Sequence, residues 1–232
     1  MAKQHHRMGE YSHPSDPHAR PTLAFRALTG LFSLLLPVAA YVAIAAAAWE
    51  ARSMPLTWLD GLPGLGQGFQ PSTWLTYGHL YITGVFFVNN LVSRRYGLGH
   101  ALWHAVLSLG VIVAYVLASM GQIDPRLPPW TGPSPDMVIA TAVALLAAHS
   151  FGALLFDRTR GVLWWAAPLY STIGAALVYC AIAYGVLQTG GDAWTSQLAI
   201  DLGIKVIAAF ALLIPYFLLR PVIRPMQGFG GY

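Results

Sequence analysis

Residues 97–120 read GLGHALWHAVLSLGVIVAYVLASM and contain no Asp, Glu, Lys or Arg. Five further stretches are of similar length and similarly apolar, at 27–49, 74–93, 137–156, 162–188 and 202–219. A helix that crosses the hydrocarbon core of a bilayer needs about 20 apolar residues. We therefore predict an all-α fold, a polytopic membrane protein built as a bundle of six transmembrane helices.

The overall composition agrees with this prediction. Charged residues make up 9% of the 232 positions, and the mean hydropathy is +0.55. A typical soluble domain carries about 25% charged residues, so this chain is too apolar to be one. The spans leave no room for a separate soluble domain. We predict a disordered cytoplasmic tail at 1–21, a six-helix transmembrane domain at 22–220 and a second cytoplasmic tail at 221–232.

Basic residues indicate the orientation of the chain. Ten of the thirteen Lys and Arg lie on one side of the predicted spans: Lys3, Arg7, Arg20, Arg26, Arg94, Arg95, Arg158, Arg160, Arg220 and Arg224. The positive-inside rule then places both termini in the cytoplasm, and we expect a multi-pass protein of a bacterial inner membrane. The cations occur in ones and twos, which suits contacts with lipid head groups, so no nucleic-acid partner is expected.

Polar side chains within the predicted spans are the candidates for function. Such groups are costly in lipid and normally face the bundle interior or a cavity. Helix 2 carries Asn89 and Asn90, helix 4 carries His149, and helix 5 carries Ser171. An amide both donates and accepts hydrogen bonds, which suits it to the edge of a neutral heterocycle. Hydrogen bonding between helices explains the same residues equally well.

A charged pair stands at the predicted start of helix 6. Asp201 and Lys205 are four residues apart in the favourable acid-first order. With helix 6 predicted from 202, Lys205 lies about one turn inside the boundary and is able to snorkel to it. The pair either pins the helix end or places an ammonium at the rim of a central cavity.

Other chemistry finds less support. His100 and His104 share a helix face at a spacing that could chelate a metal ion. For a haem, His104 with His149 is the one histidine pair at matched depth on two helices. Hydrogen bonding between helices is the simpler explanation for all of these histidines. The only cysteine, Cys180, falls in mid-helix and is expected to be a buried, inert thiol. No nucleotide-binding, zinc-protease or serine-nucleophile motif is present. We therefore predict neither an enzyme nor a cofactor or metal.

Three segments in register resemble one transporter family. They are YITGVFFVNNLVSRRYGLGHA at 81–101, LLFDRTRGVLWWAAPLYSTIGAALVYCAIAYG at 154–185, and DLGIKVIAAFALLIPYFLL at 201–219. Together they resemble the signature segments of the VUT family, bacterial transporters of vitamins or queuosine precursors, over roughly residues 73–220. The matching positions are Arg94, Arg95, Tyr96, Gly97, Asp157, Arg158, Ser171, Thr172, Lys205 and Pro215.

The resemblance implies a six-helix importer of deazaguanine-like bases, but with altered polar groups. Asn90 stands where the family usually has an intramembrane Asp. His149 and Gly152 replace a usual Gln and Asp, and Val178 replaces another Asp. The chain is thus a divergent member, without the carboxylates that proton coupling or an amino-purine edge would use.

Two functions are compatible with these residues. One is a transporter of a small heterocyclic molecule, with Asn89, Asn90, His149, Ser171 and Lys205 as the substrate-binding residues. The other is a non-transporting accessory or scaffold subunit of a larger inner-membrane complex, for example a photosynthetic or respiratory one. The expected partners are a small-molecule substrate and the lipid bilayer, with partner membrane subunits or further copies of the chain as alternatives.

Overall fold

The computed structural model describes residues 23–60, 70–119, 135–187 and 194–225. The tail predicted at 1–21 and the end of the tail predicted at 221–232 lie outside these ranges. The chain divides into two units, Met1–Ser33 and Leu34–Tyr232. In the first unit the described part is the start of a helix, where the Ser33 hydroxyl donates to the Gly30 carbonyl over 2.6 Å.

The described residues contain six α-helices and no strand, which confirms the all-α prediction. The helices are α1 (Leu23–Glu50), α2 (Tyr77–Tyr96), α3 (Leu98–Ser119), α4 (Pro135–Arg158), α5 (Ala166–Ile182) and α6 (Trp194–Leu219). Five of them are long and apolar enough to cross a membrane, and α2 is a sixth, less apolar helix. The protein is therefore a multi-pass membrane protein.

Local signals set the ends of α2. Thr76 precedes it in a capping box, in which the Thr76 side chain accepts from the His79 backbone N–H and the His79 ring pairs with the Thr76 backbone N–H. At the other end Gly97 adopts φ 82°, a left-handed conformation that favours glycine. Helix α3 begins at the next residue, so α2 and α3 are forced to run antiparallel. A single residue, Gly97, therefore separates the two helices.

We name the two ends of the second unit for use below. The loop end is where α1, α3 and α5 finish and α2, α4 and α6 begin. The arginine end is where α2 meets α3 and α4 meets α5, and it carries Arg94, Arg160 and Arg220.

Helices α4 and α5 make the closest helix pair, as their short connection predicts. Small residues allow this approach, because a Cβ added to Gly174 would lie 2.2 Å from Leu155 Cδ1. A Cβ added to Gly152 would lie 3.2 Å from both the carbonyl and the hydroxyl oxygen of Ser171. The small residues Gly152 and Gly174 therefore allow close contact between α4 and α5.

The start of α6 differs from the prediction. The helix begins at Trp194, eight residues before the predicted 202. Lys205 is therefore about 16 Å along the helix from its start, near the middle of the span. Its side chain has no exposed surface, so the prediction of a shallow, snorkelling lysine is wrong. The first turn of α6 contains the polar residues Thr195, Ser196 and Gln197. Hydropathy alone therefore did not assign this turn to the span.

Apolar packing holds the interior together. One core cluster joins Tyr41 of α1, Phe86 of α2, Leu109 of α3, Leu145 of α4 and Ala175 of α5. The outer surface is also apolar, with large exposed side chains on every helix. A surface of this kind matches lipid and would be unstable in water.

Candidate functional site

Asn90 is the centre of a buried polar cluster. Its Nδ2 donates to the Pro168 carbonyl over 3.1 Å and to Thr172 Oγ1 over 2.8 Å. Its Oδ1 accepts from Ser171 Oγ over 2.6 Å, and the Ser171 hydroxyl also lies 2.8 Å from the Gly152 carbonyl. One amide of α2 thereby joins α5 directly and α4 through Ser171.

Asn89 extends this cluster toward α3 and α4. Its Nδ2 donates to the His149 carbonyl over 3.3 Å, and its Oδ1 lies 3.4 Å from His104 Nδ1. The other face of His149 meets α1, since its Nε2 is 2.7 Å from the Tyr41 hydroxyl. We call Tyr41, Asn89, Asn90, His104, His149, Ser171 and Thr172 the asparagine cluster. All seven side chains are at most 3% exposed.

Lys205 belongs to a second buried group. Its Nζ forms an ion pair with Asp201, and both side chains are fully buried. The Asp201 carboxylate also accepts from the Tyr184 hydroxyl over 3.2 Å and from the Cys180 thiol over 3.4 Å. The predicted pairing of Asp201 with Lys205 is confirmed, as is the burial of Cys180. A carboxylate with three donors compensates part of the cost of burying its charge.

The structure brings four of the five predicted site residues together and keeps the fifth apart. Asn89, Asn90, His149 and Ser171 are members of the asparagine cluster. Aromatic rings lie between Lys205 and that cluster. The Phe86 ring lies 5.2 Å from the His149 ring and 6.4 Å from the Tyr179 ring, and Lys205 Nζ lies 5.5 Å from the Tyr179 ring.

A cavity of about 260 Å³ opens beside these groups at the loop end. Its walls are mostly apolar side chains of α1 to α4, and its polar lining consists of Tyr41, Arg52, Thr76, His79, Thr141 and Tyr179. None of the five predicted site residues contributes to it. Two tyrosines connect this loop-end cavity to the buried polar groups. Tyr41 lines the cavity and contacts His149, and Tyr179 lines the cavity and contacts Lys205.

Sequence reasoning missed Tyr41, Thr172 and Tyr184 as members of these groups. Tyr41 was detectable as a solitary hydroxyl in the apolar middle of α1, one helical turn after Pro37. Thr172 follows Ser171 directly and was noted only for its match to the family. Among the described residues, no group of three or more His, Cys, Asp or Glu could hold a metal ion.

Replacing Tyr41 with phenylalanine tests the link between the cavity and the cluster. The change removes the hydroxyl and leaves buried His149 Nε2 without its partner, so we expect a loss of about 1–2 kcal/mol of unfolding free energy. Tyr81→Phe is the matched control, since its ring is 43% exposed and its loss should stay within about 0.5 kcal/mol. Reversible unfolding of the purified protein in detergent measures both. Equal losses would show that the buried Tyr41 hydroxyl contributes no more to stability than the exposed hydroxyl of Tyr81.

Residues 76–219 match the model of the family described as "Putative vitamin uptake transporter". The chain belongs to this family. The resemblance noted in the sequence, to the VUT family, is thus confirmed. Comparisons with curated proteins and with solved structures return no match.

The matched range contains both buried polar groups except for Tyr41. It begins just before α2 and ends at the last residue of α6, so it includes Asn90, His149, Ser171 and Lys205. Helix α1, which supplies Tyr41 to the asparagine cluster and one wall of the loop-end cavity, lies before the match.

Proposed function

We propose that this protein imports a small, neutral heterocyclic molecule, of the vitamin or deazaguanine-base (queuosine-precursor) kind, across a bacterial inner membrane. One observation carries the proposal beyond family membership. A mostly apolar cavity enters the bundle from the loop end and reaches Tyr41, whose hydroxyl is bonded to His149 of the asparagine cluster. A path from one membrane face toward buried polar groups is what a carrier needs.

The size and lining of the loop-end cavity support a small ligand. Binding pockets for drug-sized molecules occupy about 300–1,000 Å³ and combine apolar walls with a few polar groups. At about 260 Å³ this cavity lies just below that range, which suits a molecule of one or two rings. The rings of Tyr41, Trp49 and Tyr179 line it and offer faces for stacking.

The asparagine cluster is the proposed recognition site. Asn89, Asn90, His149 and Ser171 offer donors and acceptors that match the edge of a heterocycle. In the described conformation they bond to one another, so a ligand must replace these bonds, and α4 and α5 must separate near Ser171 to admit it. Seen from the cavity, Lys205 lies beyond the Tyr179 ring. There its positive charge would attract electron density of a ligand stacked against that ring.

Filling the cavity tests the proposal. Ala142 lines it, so Ala142→Trp should obstruct entry and lower uptake of a radiolabelled deazaguanine base into cells by at least tenfold. Val143→Trp is the matched control, because the neighbouring side chain is 60% exposed on the outer surface of α4 and its variant should transport normally. Protein levels in the membrane are compared by immunoblot. Normal uptake by an Ala142→Trp protein present at the normal level would contradict entry through this cavity.

A non-transporting subunit is the second candidate, and one observation favours it. The polar groups of the asparagine cluster are bonded mainly to each other, as in a structural core. Purification from the native membrane in a mild detergent separates the candidates. Stoichiometric partner proteins together with an absence of uptake support the subunit, whereas a co-purified base supports transport.

The proposed orientation places the arginine end in the cytoplasm. Met54 is 55% exposed at the loop end and Val162 is fully exposed at the arginine end. In spheroplasts we expect an impermeant maleimide to label Met54→Cys but to label Val162→Cys only after the membrane is opened. The unmodified chain is the background control, since its single thiol, Cys180, is fully buried. The reverse pattern would place both termini outside.

A further inference from the structure

A second cavity, of about 650 Å³, lies at the arginine end. We call it the arginine cavity. Its basic lining comes from three parts of the fold, with Arg94 at the end of α2, Arg160 between α4 and α5, and Arg220 after α6. The rest of the wall is mainly apolar and aromatic and includes Trp164 and Tyr216. No function described above uses this cavity.

The three arginines differ in how far their donors are already occupied. Arg94 Nε donates to the Ile223 carbonyl over 3.0 Å, and an Arg160 terminal nitrogen donates to the Ser93 carbonyl over 2.5 Å. The Arg220 guanidinium lies 5.5 Å from the Trp164 ring, and its Nε is buried with no hydrogen-bond partner among the residues that the structure describes. A buried, unpaired guanidinium donor is costly, and a ligand oxygen would satisfy it.

Positive charge is in excess around this cavity. Asp157 forms an ion pair with Arg160 over 3.3 Å and is 43% exposed. Among the described residues this sets one carboxylate against the three guanidinium groups of the lining. Burial lowers the pKa of the Arg160 guanidinium, and the nearby positive charge of Arg94 lowers it further. The neighbouring Asp157 and Tyr216 act in the opposite direction and raise this pKa. The repulsion between Arg94 and Arg160 would be relieved by an anion between them.

We propose that the arginine cavity binds a phosphoryl group, from the head group of an anionic lipid or from a soluble phosphate. Guanidinium groups match phosphate oxygens in geometry and hold them through paired N–H bonds. Val162 and Leu163 belong to the same lining and are exposed, so acyl chains have an apolar surface beside the cavity. Basic pockets between transmembrane helices are known sites for acidic lipid head groups. The lipid is therefore the expected source.

The test titrates the full-length protein, purified in neutral detergent, with phosphatidylglycerol, phosphatidylcholine or inorganic phosphate. We expect phosphatidylglycerol to bind at least tenfold more tightly than phosphatidylcholine. Arg220→Gln should lower its affinity about tenfold, and Arg220→Lys should lose less. Arg158→Gln is the matched control, because it removes the same charge at the same end but does not line the cavity. Its affinity should stay within twofold of the unmodified protein.

Each outcome bears on the proposal. Phosphate binding that depends on Arg220, without preference for phosphatidylglycerol, supports the site and assigns it to a soluble anion. Equal affinity for the two lipids together with no phosphate binding overturns the proposal. An equal loss in Arg158→Gln and Arg220→Gln overturns it too, since surface charge alone would then explain the affinity. Elution volume and unfolding temperature without anionic ligand confirm that each variant is folded.

Discussion

Replacing Asp201 with asparagine is expected to lower the unfolding free energy by about 3–5 kcal/mol. Asp201 and Lys205 are fully buried in the middle of the span, and the Lys205 ammonium has no other carboxylate among its described contacts. The variant therefore leaves a buried cation without its carboxylate, while the Tyr179 ring stays 5.5 Å from Lys205 Nζ. Removing one partner of a buried ion pair costs far more than removing both.

Two further variants isolate this effect. The double variant Asp201→Asn, Lys205→Met has no buried charge and should recover most of the loss. Asp157→Asn makes the same chemical change in the half-exposed pair with Arg160 and should cost about 1 kcal/mol or less. Unfolding of the purified proteins in detergent measures all three. A double variant as unstable as Asp201→Asn would show that lost packing, and not the isolated charge, is responsible.

Replacing Gly78 with alanine is expected to cost about 3 kcal/mol, at the upper end for overpacking. A Cβ at this position would lie 2.7 Å from the Ala48 carbonyl oxygen and 3.2 Å from Arg52 Cα. Both are backbone atoms, one in the last turn of α1 and one in the short 3-10 turn that follows it, so no side-chain rotation relieves the clash. Helix α2 must then move away from α1, which disturbs the loop-end cavity that Gly78 also lines.

Gly110→Ala is the matched control for this change. Gly110 lies within α3, and a Cβ there would meet nothing within 4 Å. Alanine is the better helix former, so this variant should be as stable as the unmodified protein or gain about 0.5–1 kcal/mol. Comparable losses in Gly78→Ala and Gly110→Ala would argue against a clash at Ala48.

Much of the fold was predictable because lipid imposes a simple rule on sequence. Apolar stretches of the required length mark the helices, and the one-residue break at Gly97 forces α2 and α3 to be neighbours. The same rule identified Asn89, Asn90, His149 and Ser171, because polar groups stranded in lipid must turn inward. Their convergence in one cluster follows from that constraint.

The partners of these groups could not be read from the sequence. Tyr41 and His149 are 108 positions apart, and their hydrogen bond depends on how α1 packs against α4. The depth of Lys205 was missed because the first turn of α6 is polar. Whether Asn90 faces a void or another side chain depends on differences of less than about one ångström in how the helices pack. Hydropathy and residue spacing carry no information at that scale. The assignment of the five residues to substrate binding stays a prediction.

The modest hydropathy of α2 has a consequence for biosynthesis. Its two asparagines and terminal arginines make it a poor substrate for spontaneous partition into the bilayer when it first emerges from the ribosome. The two groups that accept from the Asn90 amide, the Pro168 carbonyl and Thr172 Oγ1, are synthesised 78 and 82 residues later. The bonds that satisfy the Asn90 side chain therefore form only after α5 is synthesised, which makes the order of translation part of the folding pathway.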